Sequence, residues 1–256
     1  GYEVVGLDKN PNIYNDGIEF YHQDLRDISR ENLTKILESV DVINSHAAQV
    51  DVRFSITNPC EDAWINVGMT IKLLECAQKA GVKRFIYASS GGAIADSEQP
   101  SSPYGIAKLT SEKYLKFFEE YHGLETVALR YSNVYGPRQS GGVVSLFIPK
   151  LLNNEPIIVN GGDQTRDFVY VKDAAQANLE ALTCPVGKYN ISTDTTWSIR
   201  HLANLLKALT KSQSDIITGT YISGEVMEST LTPDSPNGWK TTTLFGDGLK
   251  ETINSL

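Results

Sequence analysis

The sequence predicts an α/β fold in which a doubly wound parallel sheet is followed by a smaller, interleaved C-terminal α/β portion. Three observations carry that expectation. Up to about residue 135, short apolar runs of strand composition alternate with segments of helical periodicity, the rhythm of βαβ units. Those runs end in polar or small residues, namely Asp8, Asp24, Ala47-Ala48, Ser89-Ser90 and Asn133, and ligands of parallel sheets bind at the carboxyl ends of strands. After Gly136-Pro137-Arg138 the elements shorten and Gly, Pro and Asn become more frequent.

In chain order, Tyr2 to Asp8 reads as a strand that closes on a carboxylate. An acidic residue closing the second strand of a dinucleotide-binding unit accepts hydrogen bonds from the adenosine ribose and repels a 2′-phosphate, so Asp8 favours NAD over NADP. Phe20 to Asp27 is a second strand running into a turn, and a helix follows from Arg30 to Ser39. Asp41 to Ala48 is a buried strand whose small final residues let backbone approach a flat ligand. Trp64 to Lys79 has helical spacing, with Gly81 placed to cap it. Arg84 to Ser90 is a buried strand with a hydroxylic end, and Thr126 to Asn133 is the next. Beyond Arg138, helices are expected at Val143–Leu152, Asp173–Leu182 and Ser198–Leu209, with strands at Ile157–Val159 and Arg166–Val171.

Between the last two N-terminal strands lies Ser102-Pro103-Tyr104-Gly105-Ile106-Ala107-Lys108, at the start of a helix that continues to Tyr121. Residues four apart share a helix face, so Tyr104 and Lys108 can address one point. A phenol ionises near pH 10, and a neighbouring ammonium brings it toward the range where it can serve as a base. The pair is a candidate proton shuttle for a hydroxyl group. His46 is given no catalytic part.

A chain of 256 residues can bury a sizeable core. Its net charge of −8 argues against nucleic-acid and anionic-membrane partners. Cys60, Cys76 and Cys184 have no paired spacing, which suits reduced thiols in a cytoplasmic protein and gives no metal site.

Four segments together resemble the extended short-chain dehydrogenase/reductase family, and within it the UDP-glucose 4-epimerase-like, NAD-dependent epimerase/dehydratase enzymes. They are Ser89-Ser90-Gly91-Gly92-Ala93, the Tyr104/Lys108 pair, Leu129 to Gln139 and Arg166 to Asp173. The resemblance implies a Rossmann-type NAD-binding domain over residues 1–135 and a mainly substrate-binding domain over 136–256, with 167–185 returning to the first. It implies that Asp8 and Lys9 meet the adenosine ribose, Asp24 and Leu25 flank the adenine, and Ala47, Ala48, Gln49, Asn66 and Ser89 line the cofactor trough. Tyr131 and Ser132 would lie beside the nicotinamide, and Lys108 would bind its ribose. On the UDP-sugar side it implies Ser90, Asn133, Val144, Arg166 and Glu225. Tyr104 would take a proton from a sugar hydroxyl, with Lys108 and Ser90 completing the catalytic set, and a 4-keto sugar would turn before reduction from its other face. The helices from Trp64 and Tyr104 would pair two copies into a homodimer.

The pattern breaks in three places. The family's first strand, glycine-rich turn and first helix are expected before Gly1, and further residues near Ile94-Ala95. Its usual catalytic Ser or Thr falls at Gly91, leaving Ser90 as the replacement. Ile222 to Val226 lacks the family's arginine. A 4,6-dehydratase fits less well, since Gly92-Ala93 stands where such enzymes carry an Asp-Glu pair, and a UDP-glucuronate decarboxylase lacks its glutamate near the serine. A non-catalytic dinucleotide-binding regulatory protein is the reading from another class.

Overall fold

The computed structural model describes residues 1–14, 17–221 and 227–256. In chain order its elements begin with β1 (Val5–Asp8), β2 (Glu19–His22), α1 (Arg30–Leu37), β3 (Val42–Ser45), α2 (Val52–Thr57), α3 (Pro59–Ala63), α4 (Met69–Ala80), β4 (Arg84–Ser90), α5 (Gly91–Ile94), α6 (Pro103–His122) and β5 (Glu125–Tyr131). They continue with β6 (Asn133–Tyr135), α7 (Val143–Leu152), β7 (Ile157–Asn160), β8 (Thr165–Tyr170), α8 (Val171–Glu180), β9 (Gly187–Ile191), β10 (Thr196–Ser198), α9 (Ile199–Thr210), β11 (Ile216–Gly219), β12 (Glu228–Ser229) and α10 (Phe245–Asn254). Two compact units result, residues 1–89 with 100–128 and residues 90–99 with 129–256.

In the first unit, β1 pairs with β2 and β3 with β4, both in parallel. Parallel strands are covered on both faces, and here α1, α4 and α6 supply the cover. Leu33 and Leu37 of α1, Leu73, Leu74 and Ala77 of α4, and Leu115 and Phe118 of α6 form one core with Ile43, Phe85 and Tyr87 of the strands. Ser29 caps α1 through the Asn32 N–H, and Ser102 caps α6 through the Gly105 N–H at 3.1 Å. Pro103 opens α6 with a preset φ. Gly81 at φ 80° ends α4 in the left-handed conformation, the role expected of it.

The expected single helix from Trp64 is corrected at its start. Trp64–Gly68 is a π turn, and regular α-helix begins only at Met69. The Met69 N–H donates to the Trp64 carbonyl, the i→i+5 pairing of a π turn, and the Asn66 carbonyl also accepts from the hydroxyls of Thr70 (2.7 Å) and Ser111 (3.0 Å). The expected continuous strand to Asn133 is also corrected. β5 stops at Tyr131, the Ser132 N–H donates to the Ile191 carbonyl, and β6 leaves to pair with β8.

The second unit is centred on β8, which pairs antiparallel with β10 and parallel with β12 and β6. β7 and β11 form a separate parallel pair. A second core gathers Tyr135, Phe147, Ile148, Ile157, Phe168, Leu202 and Leu206. Phe245 stacks on Phe168 and on Trp197, at ring distances of 5.3 Å each. The short connection after α5 is strained, since Ala95 (φ 59°, ψ 169°) and Glu98 (φ 51°) both take positive φ. It is held by Asp96, which accepts from the Thr232 N–H and hydroxyl, and by Glu98, which pairs with Arg130 and Lys188. Those two cations hold the Glu98 carboxyl down to about 2. Among the described residues, no helix is long and apolar enough to cross a membrane.

Candidate active site

Tyr104 and Lys108 lie one turn apart on α6, 8% and 3% exposed. The Lys108 ammonium donates to the Ala88 carbonyl at the end of β4 (2.8 Å) and sits 5.8 Å from the Tyr104 ring centre and 4.7 Å from that of Tyr87. Burial lowers its pKa to about 8, against the opposing pull of the Asp62 and Glu112 carboxylates. A buried lysine close to a phenol is sensitive to small changes in the charges around it. The Tyr104 N–H donates to the Ser55 hydroxyl, so α2 fixes the first turn of α6.

At the carboxyl end of β3, Ala47 is exposed and Ala48 half-buried. The chain then reaches Gln49, whose N–H donates to Asn66 Oδ1 (2.9 Å) and whose carbonyl accepts from Asn66 Nδ2 (3.0 Å). Asn66 thereby holds both backbone groups of Gln49. Asp8 ends β1 with an exposed carboxylate that accepts the Asn10 N–H at 2.7 Å, and Lys9, exposed beside it, offers its carbonyl to His22 (2.9 Å). Asp24 accepts both Nε and Nη2 of Arg26, and that hydrogen bonding holds its carboxyl below the ordinary range. The Asp24-Leu25 turn is pinned from below by Lys72 of α4, which donates to the carbonyls of Leu25 and Ile28 at 2.6 Å each.

The two serines separate. The Ser89 hydroxyl is buried and donates to Glu112 at 2.6 Å. Ser90 stands half-buried at the head of α5, and its side chain makes no capping bond there. A Cβ on Gly91 would lie 2.2 Å from Leu231 Cδ2 and 3.2 Å from the Arg130 carbonyl, so no hydroxyl-bearing side chain fits unless Leu231 moves.

In the second unit, Tyr131, Ser132 and Asn133 gather around known partners. The Tyr131 hydroxyl accepts from Asn178 (2.7 Å), the Ser132 hydroxyl donates to Asp167 (3.2 Å), and Asn133 Nδ2 donates to the Asp167 carbonyl (3.1 Å). Asp167, 1% exposed, also accepts the N–H and hydroxyl of Thr193. Burial raises its pKa against those bonds. Arg166 lies between Trp197 and Ser229 in register and donates to the Thr165 carbonyl. Asp163 accepts the Tyr221 hydroxyl, and Asp167 accepts from Ser132 and Thr193. Val144 is 1% exposed and belongs to the second core, so only its backbone N–H, in the first turn of α7, can face a ligand. Glu225 and the rest of 222–226 lie outside the described residues.

Sequence reasoning missed Asp62, Glu112, Lys72 and Asp167. The signal was present for two of them. Tyr104, Lys108 and Glu112 follow one another at spacings of four, as do Asp62 and Asn66.

Parallel strands covered by helices, with a buried Tyr/Lys pair one turn apart on α6, make up the first unit, and comparison with known proteins gives the family. The profile of the NAD dependent epimerase/dehydratase family matches residues 1–192. The chain is 37% identical, over 99% of its length and 90% of the relative's, to a Methanocaldococcus jannaschii protein that carries UDP-glucose 4-epimerase as a provisional name. It superposes on a Thermotoga maritima UDP-glucose 4-epimerase crystallised with UDP-glucose at a TM-score of 0.93, with 34% identity over 100% of this chain and 91% of that one. It is 30% identical to mouse dTDP-D-glucose 4,6-dehydratase over 98% of this chain and 80% of that one. The chain belongs to the NAD-dependent epimerase/dehydratase family. It is an NAD-dependent isomerase on the Rossmann-type fold that the sequence implied, of the nucleotide-sugar epimerase kind.

Proposed function

We propose that the protein interconverts UDP-glucose and UDP-galactose by inversion at C4, the step at the centre of galactose metabolism. The observation that carries this reading is the buried Tyr104/Lys108 pair, one turn apart on α6. Gly92 and Ala93 occupy the stretch in which the dehydratases of this family carry an Asp-Glu pair. Loss of water needs a group to protonate the departing hydroxyl.

The residues present fit NAD. The exposed Asp8 carboxylate, which accepts the Asn10 N–H, suits two ribose hydroxyls, Ala47 and Ala48 carry side chains small enough for a flat ligand to approach the backbone, and Lys108 keeps ammonium hydrogens beyond its bond to Ala88. Bound NAD supplies hydride acceptance and return at the sugar carbon. In this reading Asp8 and Lys9 hold the adenosine ribose, Asp24 and Leu25 flank the adenine, and Gln49, Asn66 and Ser89 shape the trough. Lys108 orients the nicotinamide ribose and favours the Tyr104 phenolate, which takes the C4 hydroxyl proton and later returns it. Ser90 hydrogen-bonds the reacting oxygen, and Tyr131 and Ser132 wall the nicotinamide side. Asn133, Arg166, Glu225 and the Val144 backbone address the UDP-sugar, the guanidinium being suited to a diphosphate. Residues 1–135 thus serve the cofactor and 136–256 mainly the sugar, with 167–185 returning to the first.

Full-length protein given UDP-glucose and NAD is expected to form UDP-galactose, followed by NMR. NAD binding without turnover of any nucleotide sugar would favour the regulatory reading instead. Ile106, Tyr114, Phe117 and Tyr121 form an exposed stripe along α6, and Trp64 is 60% exposed at the π turn. We take that stripe as a homodimer face, so sedimentation should give twice the chain mass, and a monomer would contradict it. We place the protein in the cytoplasm, a reducing setting in which Cys60, Cys76 and Cys184 stay thiols.

A further inference from the structure

Asp62 lies on α3, well before the tyrosine helix α6 in sequence, and is wholly buried. Its Oδ1 accepts from the Gln49 side chain (2.7 Å) and from Asn66 Nδ2 (2.9 Å), whereas Oδ2 has no hydrogen-bond partner among the described residues. A buried carboxylate oxygen without a partner is costly to keep. The compensation available is charge. The one cation whose electrostatic interaction with Asp62 is resolved is Lys108.

Two kinds of contact therefore meet at one side chain. Through Gln49 and Asn66, Asp62 braces the wall of the trough, because Asn66 holds both backbone groups of Gln49. The π turn at Trp64–Gly68 carries Asn66, whose carbonyl is held by Thr70 and Ser111. Through space, the carboxylate's charge favours the ammonium form of Lys108, one turn from Tyr104 on α6. The groups around Lys108 are Asp62 from α3, Glu112 and Tyr104 from α6, and Tyr87 and the Ala88 carbonyl from β4. Glu112 shares its charge with the Ser89 hydroxyl.

We propose that Asp62 is a positioning residue that fixes the Gln49 wall of the cofactor trough and keeps the Lys108 ammonium charged, so that cofactor seating and the proton shuttle share one buried anion. The signs are consistent. Burial raises the Asp62 pKa and lowers that of Lys108, while each charge favours the other's ionised form. The proposal rests on the Tyr104/Lys108 reading above, and it is testable without turnover.

Full-length protein carrying ¹³C-labelled lysine gives the Lys108 titration by NMR, the signal being assigned by its loss in Lys108→Met. In Asp62→Asn the oxygen that accepts from Gln49 and Asn66 is retained and only the charge is removed. The Lys108 midpoint is expected to fall by about half a unit or more, with the alkaline limb of kcat following it and NAD affinity staying within about threefold. Asp62→Ala removes the oxygens as well, and is expected to weaken NAD binding about tenfold in addition. An unchanged Lys108 midpoint in a folded, NAD-binding Asp62→Asn overturns the proposal. Should that variant not fold, the wild-type carboxyl resonance decides the matter, because an Asp62 still protonated at pH 7 while Lys108 is charged overturns it equally. If no nucleotide sugar is turned over but the Lys108 midpoint moves, the epimerase reading fails and this inference stands.

Discussion

Tyr104→Phe is expected to lower turnover about 10³-fold, within the range general acid–base groups contribute, while NAD affinity stays within about twofold. The variant keeps the ring beside Lys108, the Ser102 cap and the bond from its N–H to Ser55, so only the hydroxyl is lost. Lys108→Met should cost as much in turnover and also weaken NAD, since the ammonium serves both the phenolate and the ribose in our reading. Both follow from steady-state rates and calorimetric titration with NAD. A Tyr104→Phe enzyme with a tenth of normal activity would move the base elsewhere.

The largest expected effect on stability lies at Asp173, in the first turn of α8. Its carboxylate accepts the hydroxyls of Thr241 (2.7 Å) and Thr242 (2.9 Å) and the N–H groups of Thr242 and Thr243, while its carbonyl accepts the buried Trp239 indole N–H (3.0 Å). One side chain thereby ties the chain before α10 to α8. Burial works against its charge, but these donors outweigh it and hold the carboxyl below its ordinary value. A depressed carboxyl contributes stability that is present above about pH 4, its unfolded value, and is lost as pH falls through the folded one. Asp173→Ala is expected to cost about 3 kcal/mol, several donors being left buried without an acceptor. It should also flatten the acid limb of stability. Urea midpoints at pH 7 and below pH 4 measure both, and a change under about 1 kcal/mol at pH 7 would contradict the account.

Much of this was legible in the sequence because periodicity and caps are local. The runs at Arg84–Ser90 and Val143–Leu152 became β4 and α7 with the expected bounds, and Gly81 ended α4 as its position foretold. The contact of Ser111 with the π turn was not legible, because it lies 45 residues beyond Asn66. The same holds for the partners of Lys108. Tyr104 and Lys108 announce themselves by spacing, whereas Asp62 reaches them only once α3 packs near α6. Val144, which the resemblance offers as a substrate contact, turns its side chain into the second core, a burial that no local pattern encodes. Gly91 is a further instance, because the space that a catalytic hydroxyl would need is filled by Leu231, a residue 140 positions away in sequence whose approach no local pattern encodes.

The central claim is that the sugar is oxidised and reduced again at C4 without its carbon-bound hydrogen meeting water. Full-length protein, NAD and UDP-glucose are incubated in D₂O, and the C4 position of the UDP-galactose formed is read by NMR. The account predicts a 4-epimer that keeps its original hydrogen at C4. Deuterium at C4 of the product would mean exchange with solvent at the inverted carbon, and would contradict it.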